Sequence, residues 1–135
     1  MPADPRPSMP FLRITPGDAR KVAIEPGHLS ALLATHGSLE VRWFAPDPAK
    51  PQTPHDRDEI YVVASGSCEV WRAGVSAPFA EDSSLSVAGE DRITVHPGDV
   101  IFVPAGTEHQ FEAMSSDFGT WMIFYGPEGG EAVMP

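Results

Sequence analysis

Glycine and proline punctuate this chain too closely for long helices. Twelve glycines and 15 prolines fall among 135 residues, and the intervals between them are short runs rich in β-branched and aromatic residues. Proline removes a backbone donor and both residues weaken element interiors, so such a chain is confined to short strands joined by turns. The runs that read as strands are residues 11–15, 39–44, 60–64, 68–72, 93–95, 100–103, 110–113 and 120–125. Residues 28–37, HLSALLATHG, read as a short helix stopped by Gly37 or as irregular chain. Residues 73–91, AGVSAPFAEDSSLSVAGED, read as a long hairpin connection. The fold class is therefore all-β, and eight or so short strands at this spacing leave a sandwich, an ordinary barrel and a jelly roll all open.

The chain is long enough for one core of ordinary size and too short for two, so residues 11–135 are expected to form a single domain behind a loose, proline-rich tail of residues 1–10. A formal charge of −10 with nine scattered Lys and Arg provides no basic patch, which argues against nucleic acid and anionic membrane surfaces as partners. The lone Cys68 allows no internal disulfide, and it reads as a small packed hydrophobe. No apolar run approaches the roughly 20 residues of a spanning helix, and MPADPRPSMP lacks the apolar core of a signal peptide. A cytoplasmic location is the expectation.

Two stretches carry chemistry. The first, PHDRDEIYVVASG at residues 54–66, places His55 and Glu59 at the start of a strand, where side chains two and four apart share a face. Asp56, Arg57 and Asp58 between and beside them read as a solvated rim. The second, GDVIFVPAGTEHQF at residues 98–111, sets a short apolar strand between two turns that deliver His109 onto the next strand. Placed on neighbouring strands of a barrel, His55, Glu59 and His109 would converge on one interior point. His28, His36 and His96 lie outside these stretches and are read as uninvolved.

These stretches resemble the two motifs of the cupin superfamily, whose small double-stranded β-helix barrels use them to hold a divalent metal. His55, Glu59 and Gly66 match the second His, the Glu and the Gly of the first motif, at about residues 53–66. Gly98, Pro104, Gly106 and His109 match the second, at about 98–113, without a gap. The resemblance extends over roughly residues 38 to 126 and implies a jelly-roll cupin barrel. Two departures stand out: Thr53 occupies the position of the first His, and Ala113 that of the Asn that often closes the second motif. The resemblance implies His55, Glu59 and His109 as metal ligands, with Gln52 or Thr53 near a fourth position. Two imidazoles and a carboxylate suit Fe, Mn, Ni, Co or Zn as a divalent ion and leave coordination positions open.

Continuing the face of Glu59 gives Tyr61, expected to act beside Glu59 in catalysis because a buried phenol needs a partner. Phe111, Trp43 and Trp121 are expected to line the pocket. On β-alternation alone, residue 120–125 side chains split into Trp121, Ile123 and Tyr125 or Met122 and Phe124, either set facing in. Aromatic walls with few donors favour a small, partly apolar molecule. The resemblance implies a metal-dependent enzyme, dioxygenase- or isomerase-like. The alternative is a non-catalytic small-molecule-binding or sensor cupin with a degenerate metal site. Small cupins often pair, so a homodimer is expected, with residues 11–14 as a contributor.

Overall fold

A computed structural model describes residues 11–47, 55–72 and 92–132. Eight strands follow a short helix in chain order: α1 Pro16–Arg20, β1 Ala31–His36, β2 Leu39–Phe44, β3 Asp58–Ser65, β4 Cys68–Arg72, β5 Arg92–Val95, β6 Val100–Val103, β7 His109–Glu112 and β8 Gly119–Tyr125. They form two antiparallel sheets, a five-stranded one ordered β1-β2-β8-β3-β6 and a three-stranded one ordered β5-β4-β7. The two face one another as a jelly roll. Between them Phe44, Tyr61, Val63 and Met122 of the larger sheet pack against Val70, Val95 and Phe111 of the smaller.

Seven of the expected strands form with ends shifted by no more than two residues, because alternating apolar positions bounded by turn residues leave few other registers. Residues 28–37 are not helical. Ala31–His36 pairs with Leu39–Phe44, and His36 faces Leu39 across the two-residue turn Gly37-Ser38. Gly37, at φ 58°, is thus the hinge of a hairpin rather than the end of a helix. The helix-forming preference of Ala and Leu yields there to burial of Ala31, Leu33 and Ala34 against the sheet.

Residues 11–15 are not a strand either. Thr15 caps α1, accepting from Asp18 N at 3.1 Å while its own N–H donates to the Asp18 carboxylate at 3.2 Å. Pro16 at the first helical position completes a start signal that the apolar reading of residues 11–15 overlooked. The helix seats Ala19 in a second cluster with Ala31, Leu33 and Trp43, on the outer face of the larger sheet. Residues 1–10 and the connection at 73–91 lie outside the described residues. None of the described helices is long and apolar enough to cross a membrane.

Candidate metal centre

Which face of the larger sheet turns inward decides what the barrel can hold. The register pairs Glu40 with Phe124 and Phe124 with Glu59, then Arg42 with Met122 and Met122 with Tyr61. Paired residues project to the same side, so Glu40, Arg42, Glu59, Tyr61, Met122 and Phe124 all face the interior. Of the two alternatives on β8, Met122 and Phe124 point in. Trp43 and Trp121 consequently lie on the outer face, stacked edge to face at 5.0 Å, and do not line the pocket. The Arg20 guanidinium covers Trp43 at 4.9 Å from the ring centroid. Trp43 was expected to line the pocket; Glu40, Arg42 and Phe44 turn inward instead, and α1 covers the opposite face through Ala19.

His55, Glu59 and His109 do converge, with one candidate ligand atom from each lying within 4.8 Å of the others. Hydrogen bonds from backbone N–H groups of the second motif stretch to the first set this convergence. Gly106 N donates to the His55 carbonyl at 2.7 Å, and Ala105 N donates to Asp58 Oδ1 at 3.0 Å. Asp58 also accepts from Glu131 N at 2.8 Å. It is therefore a buried anchor between the turn before β7 and the start of β3, not part of a solvated rim. Arg57 is likewise drawn in, with Nη1 on Glu40 Oε2 at 2.8 Å.

The His109 ring lies with Nδ1 at 2.9 Å from the Thr107 carbonyl oxygen. Only an N–H makes that contact, so Nδ1 carries a proton and Nε2 holds the lone pair of the neutral ring. Nε2 faces Tyr61 Oη at 3.1 Å and Glu59 Oε1 at 3.3 Å. His55 stands opposite, its Nε2 3.6 Å from Glu59 Oε2, with its ring edge to face on Phe124 at 4.9 Å. Burial holds the His55 imidazole below its ordinary protonation range, against the pull of Glu59. For His109 burial acts in the same downward direction, but Glu59 and the Thr107 carbonyl outweigh it and its proton is held more tightly than usual.

Glu59 is 1% exposed, and neither of its oxygens has a hydrogen-bond partner; His55 Nε2 shares that condition. At 3.3 Å the Glu59–His109 contact is an ion-pair distance without an aligned hydrogen bond. A buried carboxylate in that state costs several kcal/mol unless a cation joins it. Donor atoms around one transition-metal ion at ordinary bond lengths stand about 3 to 3.3 Å apart. The two measured separations from Glu59 exceed this by a few tenths of an ångström at most, close to what a divalent ion shared by Glu59 and either imidazole requires.

Phe111 lies inside the barrel, its ring 4.9 Å from that of Tyr61. Gln52 and Thr53 fall outside the described residues. A cavity of about 370 Å³ opens beside His55, bordered by Leu29, Met122 and Phe124 and also by Arg42 and Arg57. The expected scarcity of donors in the wall does not hold. Sequence reasoning passed over Glu40 and Arg42, although both sit two residues apart on one strand face with Phe44.

The sequence pattern of the cupin domain family matches residues 42–125. An uncharacterised protein of Streptomyces coelicolor is 28% identical over 120 residues, which span 89% of this chain and 99% of the relative. Among solved structures, a cupin 2 conserved barrel domain protein from Salinispora arenicola is similar with a TM-score of 0.55 at 19% identity, over 85% of this chain and 89% of its own. A cupin-2 domain containing protein from Shewanella frigidimarina gives 0.53 at 16% identity, over 84% and 94%. At those identities the structural likeness speaks for the jelly-roll fold.

Proposed function

The chain belongs to the cupin domain family, and from that premise we propose that it is a metal-dependent enzyme acting on a small molecule, with His55, Glu59 and His109 as the ligands of one divalent transition metal. The observation that carries this reading is Glu59, a buried carboxylate whose two oxygens have no hydrogen-bond partner and face two imidazole nitrogens. A fixed N–H on His109 Nδ1 leaves Nε2 as the donor, the arrangement by which metal-binding histidines are usually oriented. When bound, such an ion supplies Lewis-acid polarisation of a substrate oxygen or an open position for a small co-substrate, as dioxygenase- and isomerase-type chemistry needs.

The chain's own residues supply the rest. Tyr61 Oη, at 3.1 Å from His109 Nε2, holds a proton at the inner edge of the site. Lying beside the nitrogen that would hold the ion, Tyr61 is the proposed proton donor to a molecule bound there. Phe111 and Phe44 fix its ring on two sides, at 4.9 and 6.2 Å between centroids. Leu29, Met122 and Phe124 provide the apolar part of the cavity wall. The core of Val63, Val70 and Phe111 beyond keeps water out of the barrel's far end.

The test is elemental analysis of protein purified without chelator or affinity metal, before and after incubation with Mn, Fe, Co, Ni and Zn ions. About one ion per chain is expected, lost in His109→Ala with the circular dichroism spectrum retained. Wild-type protein that stays empty after every incubation overturns the reading.

A further inference from the structure

The cavity beside His55 has a second functional end. Glu40 and Arg42 project into it from β2, which is separated from β3 by β8 alone. With neighbouring strands about 4.8 Å apart, their backbones stand about 10 Å from those of Glu59 and Tyr61. Arg42 is 8% exposed. Its Nε and Nη2 grip Glu40 Oε1 at 3.1 and 3.0 Å, and its Nη1 reaches the Ser30 carbonyl and hydroxyl at 3.3 and 3.4 Å. Arg57 takes the other oxygen of the same carboxylate at 2.8 Å and donates from Nε to the Gly126 carbonyl at 3.1 Å.

One carboxylate therefore serves two guanidinium groups, and one positive charge is left over. Arg57 Nη2 is buried without a hydrogen-bond partner, a donor whose desolvation goes uncompensated within the chain. Asp56 also borders the cavity, but it is exposed, where water screens its charge. In a chain of net charge −10, two arginines turned toward the barrel interior run against the overall balance. Their clamps hold both forks in place before anything binds, so little entropy is lost on binding. A surplus of one charge and the unpartnered Nη2 of Arg57 match a carboxylate better than a doubly charged phosphate.

We propose that Arg42 and Arg57 form the specificity-determining subsite for the carboxylate of a small organic acid, whose reacting oxygen function lies a short carbon chain away at His55, Glu59 and His109. The proposal rests on the metal reading above for the reacting end, and the arginine end is separately measurable.

The probes are a matched pair of hydroxamates, which bind a metal through the hydroxamate: glutaric monohydroxamate, with a terminal carboxylate, and pentanohydroxamate, with a methyl in its place. Calorimetric titration of the metal-loaded protein should show the carboxylate tail tightening binding about 10- to 100-fold, as charged hydrogen bonds do. That advantage should fall below about threefold in Arg57→Gln and Arg42→Gln, while pentanohydroxamate binds as before. Glu40→Gln, which unmasks charge, should keep or enlarge the advantage; a merely structural tie would lose it. Equal binding of both probes by wild type, or an advantage that survives Arg57→Gln, overturns the proposal. Should the protein take up no metal, the metal reading fails on its own, and glutarate against glutaramide on chelator-treated protein reads the arginine end. Arg57-dependent preference for glutarate then upholds the subsite, and no preference overturns it.

Discussion

Replacing Glu59 with glutamine should stabilise the metal-free protein and abolish the stabilisation that metal brings. Glu59 is 1% exposed, with no hydrogen bond to either oxygen. Burying an ion of this kind costs several kcal/mol, of which His109 at 3.3 Å recovers a share. Removing the charge while keeping the shape should leave the metal-free variant about 1–3 kcal/mol more stable than wild type. For a chain of this size each kcal/mol moves Tm by about 3–5 °C, so a rise of about 3–15 °C is expected in chelator. With metal at a hundredfold excess over Kd, wild type should gain about 2.7 kcal/mol and the variant far less. Thermal unfolding followed by circular dichroism, with chelator and with each metal, gives all four values. A variant less stable than wild type in chelator, together with a wild type that metal does not stabilise, would show Glu59 to be satisfied by the protein itself and would refute the reasoning.

Metal affinity should fall as the pH drops, beginning above the ordinary imidazole value of 6.5, because His109 holds its proton more tightly than usual. The sign follows from linkage: the metal-free protein draws stability from that proton below pH 6.5 and loses it as the pH rises through the raised folded value. His55 is shifted the other way, so its neutral ring contributes above pH 6.5 and that contribution is lost on acidification. Competition titrations between pH 6 and 8 should show up to about tenfold per pH unit for each proton displaced, and a flat profile would count against His109 as a ligand. Cys68, 2% exposed and with its thiol pushed up to about 12 by burial, should resist a thiol reagent at pH 8 until the protein unfolds. Ala113 sits at φ 50°, a left-handed conformation that asparagine and glycine tolerate better; Ala113→Gly should raise stability by about 0.5–1 kcal/mol in denaturant titration, and a loss would show the strain to be absent. The exposed Val100 and Phe102 on the outer sheet face favour the proposed homodimer, for which light scattering should give twice the 14.5 kDa chain mass and a monomer mass would remove it.

What the sequence disclosed and what it withheld follow from the range of the interactions involved. Strands such as Val100–Val103 and Thr120–Tyr125 were legible because alternation and flanking turn residues act locally. His55, Glu59 and His109 were legible for a different reason: fixed spacing within two turn-and-strand units carries each to a strand start. The facing of β2 was not legible. Leu39, Val41 and Trp43 form the apolar face, and only the docking of α1 by its Thr15 cap explains why that face is outward. Asp58 was misread for a related reason, since its partners Ala105 and Glu131 are remote in sequence.

The inward polar face of β2 also explains how the site can be both buried and ordered. A barrel lined wholly by apolar residues would leave Glu59 alone in a medium where its charge is costly. Here the same interior carries Arg42 and Arg57 at one end and two imidazoles at the other, so the carboxylates Glu40 and Glu59 each lie among cationic or ligating partners. The difference between them is instructive. Glu40 is saturated by two guanidinium groups within the chain, whereas Glu59 has no aligned hydrogen bond from either histidine. The motif stretches are tied by Gly106 N to the His55 carbonyl and by Ala105 N to the Asp58 carboxylate, contacts that set both imidazoles beside Glu59. An acid left unsatisfied in this way, beside two imidazoles, is the feature on which the proposed metal site rests.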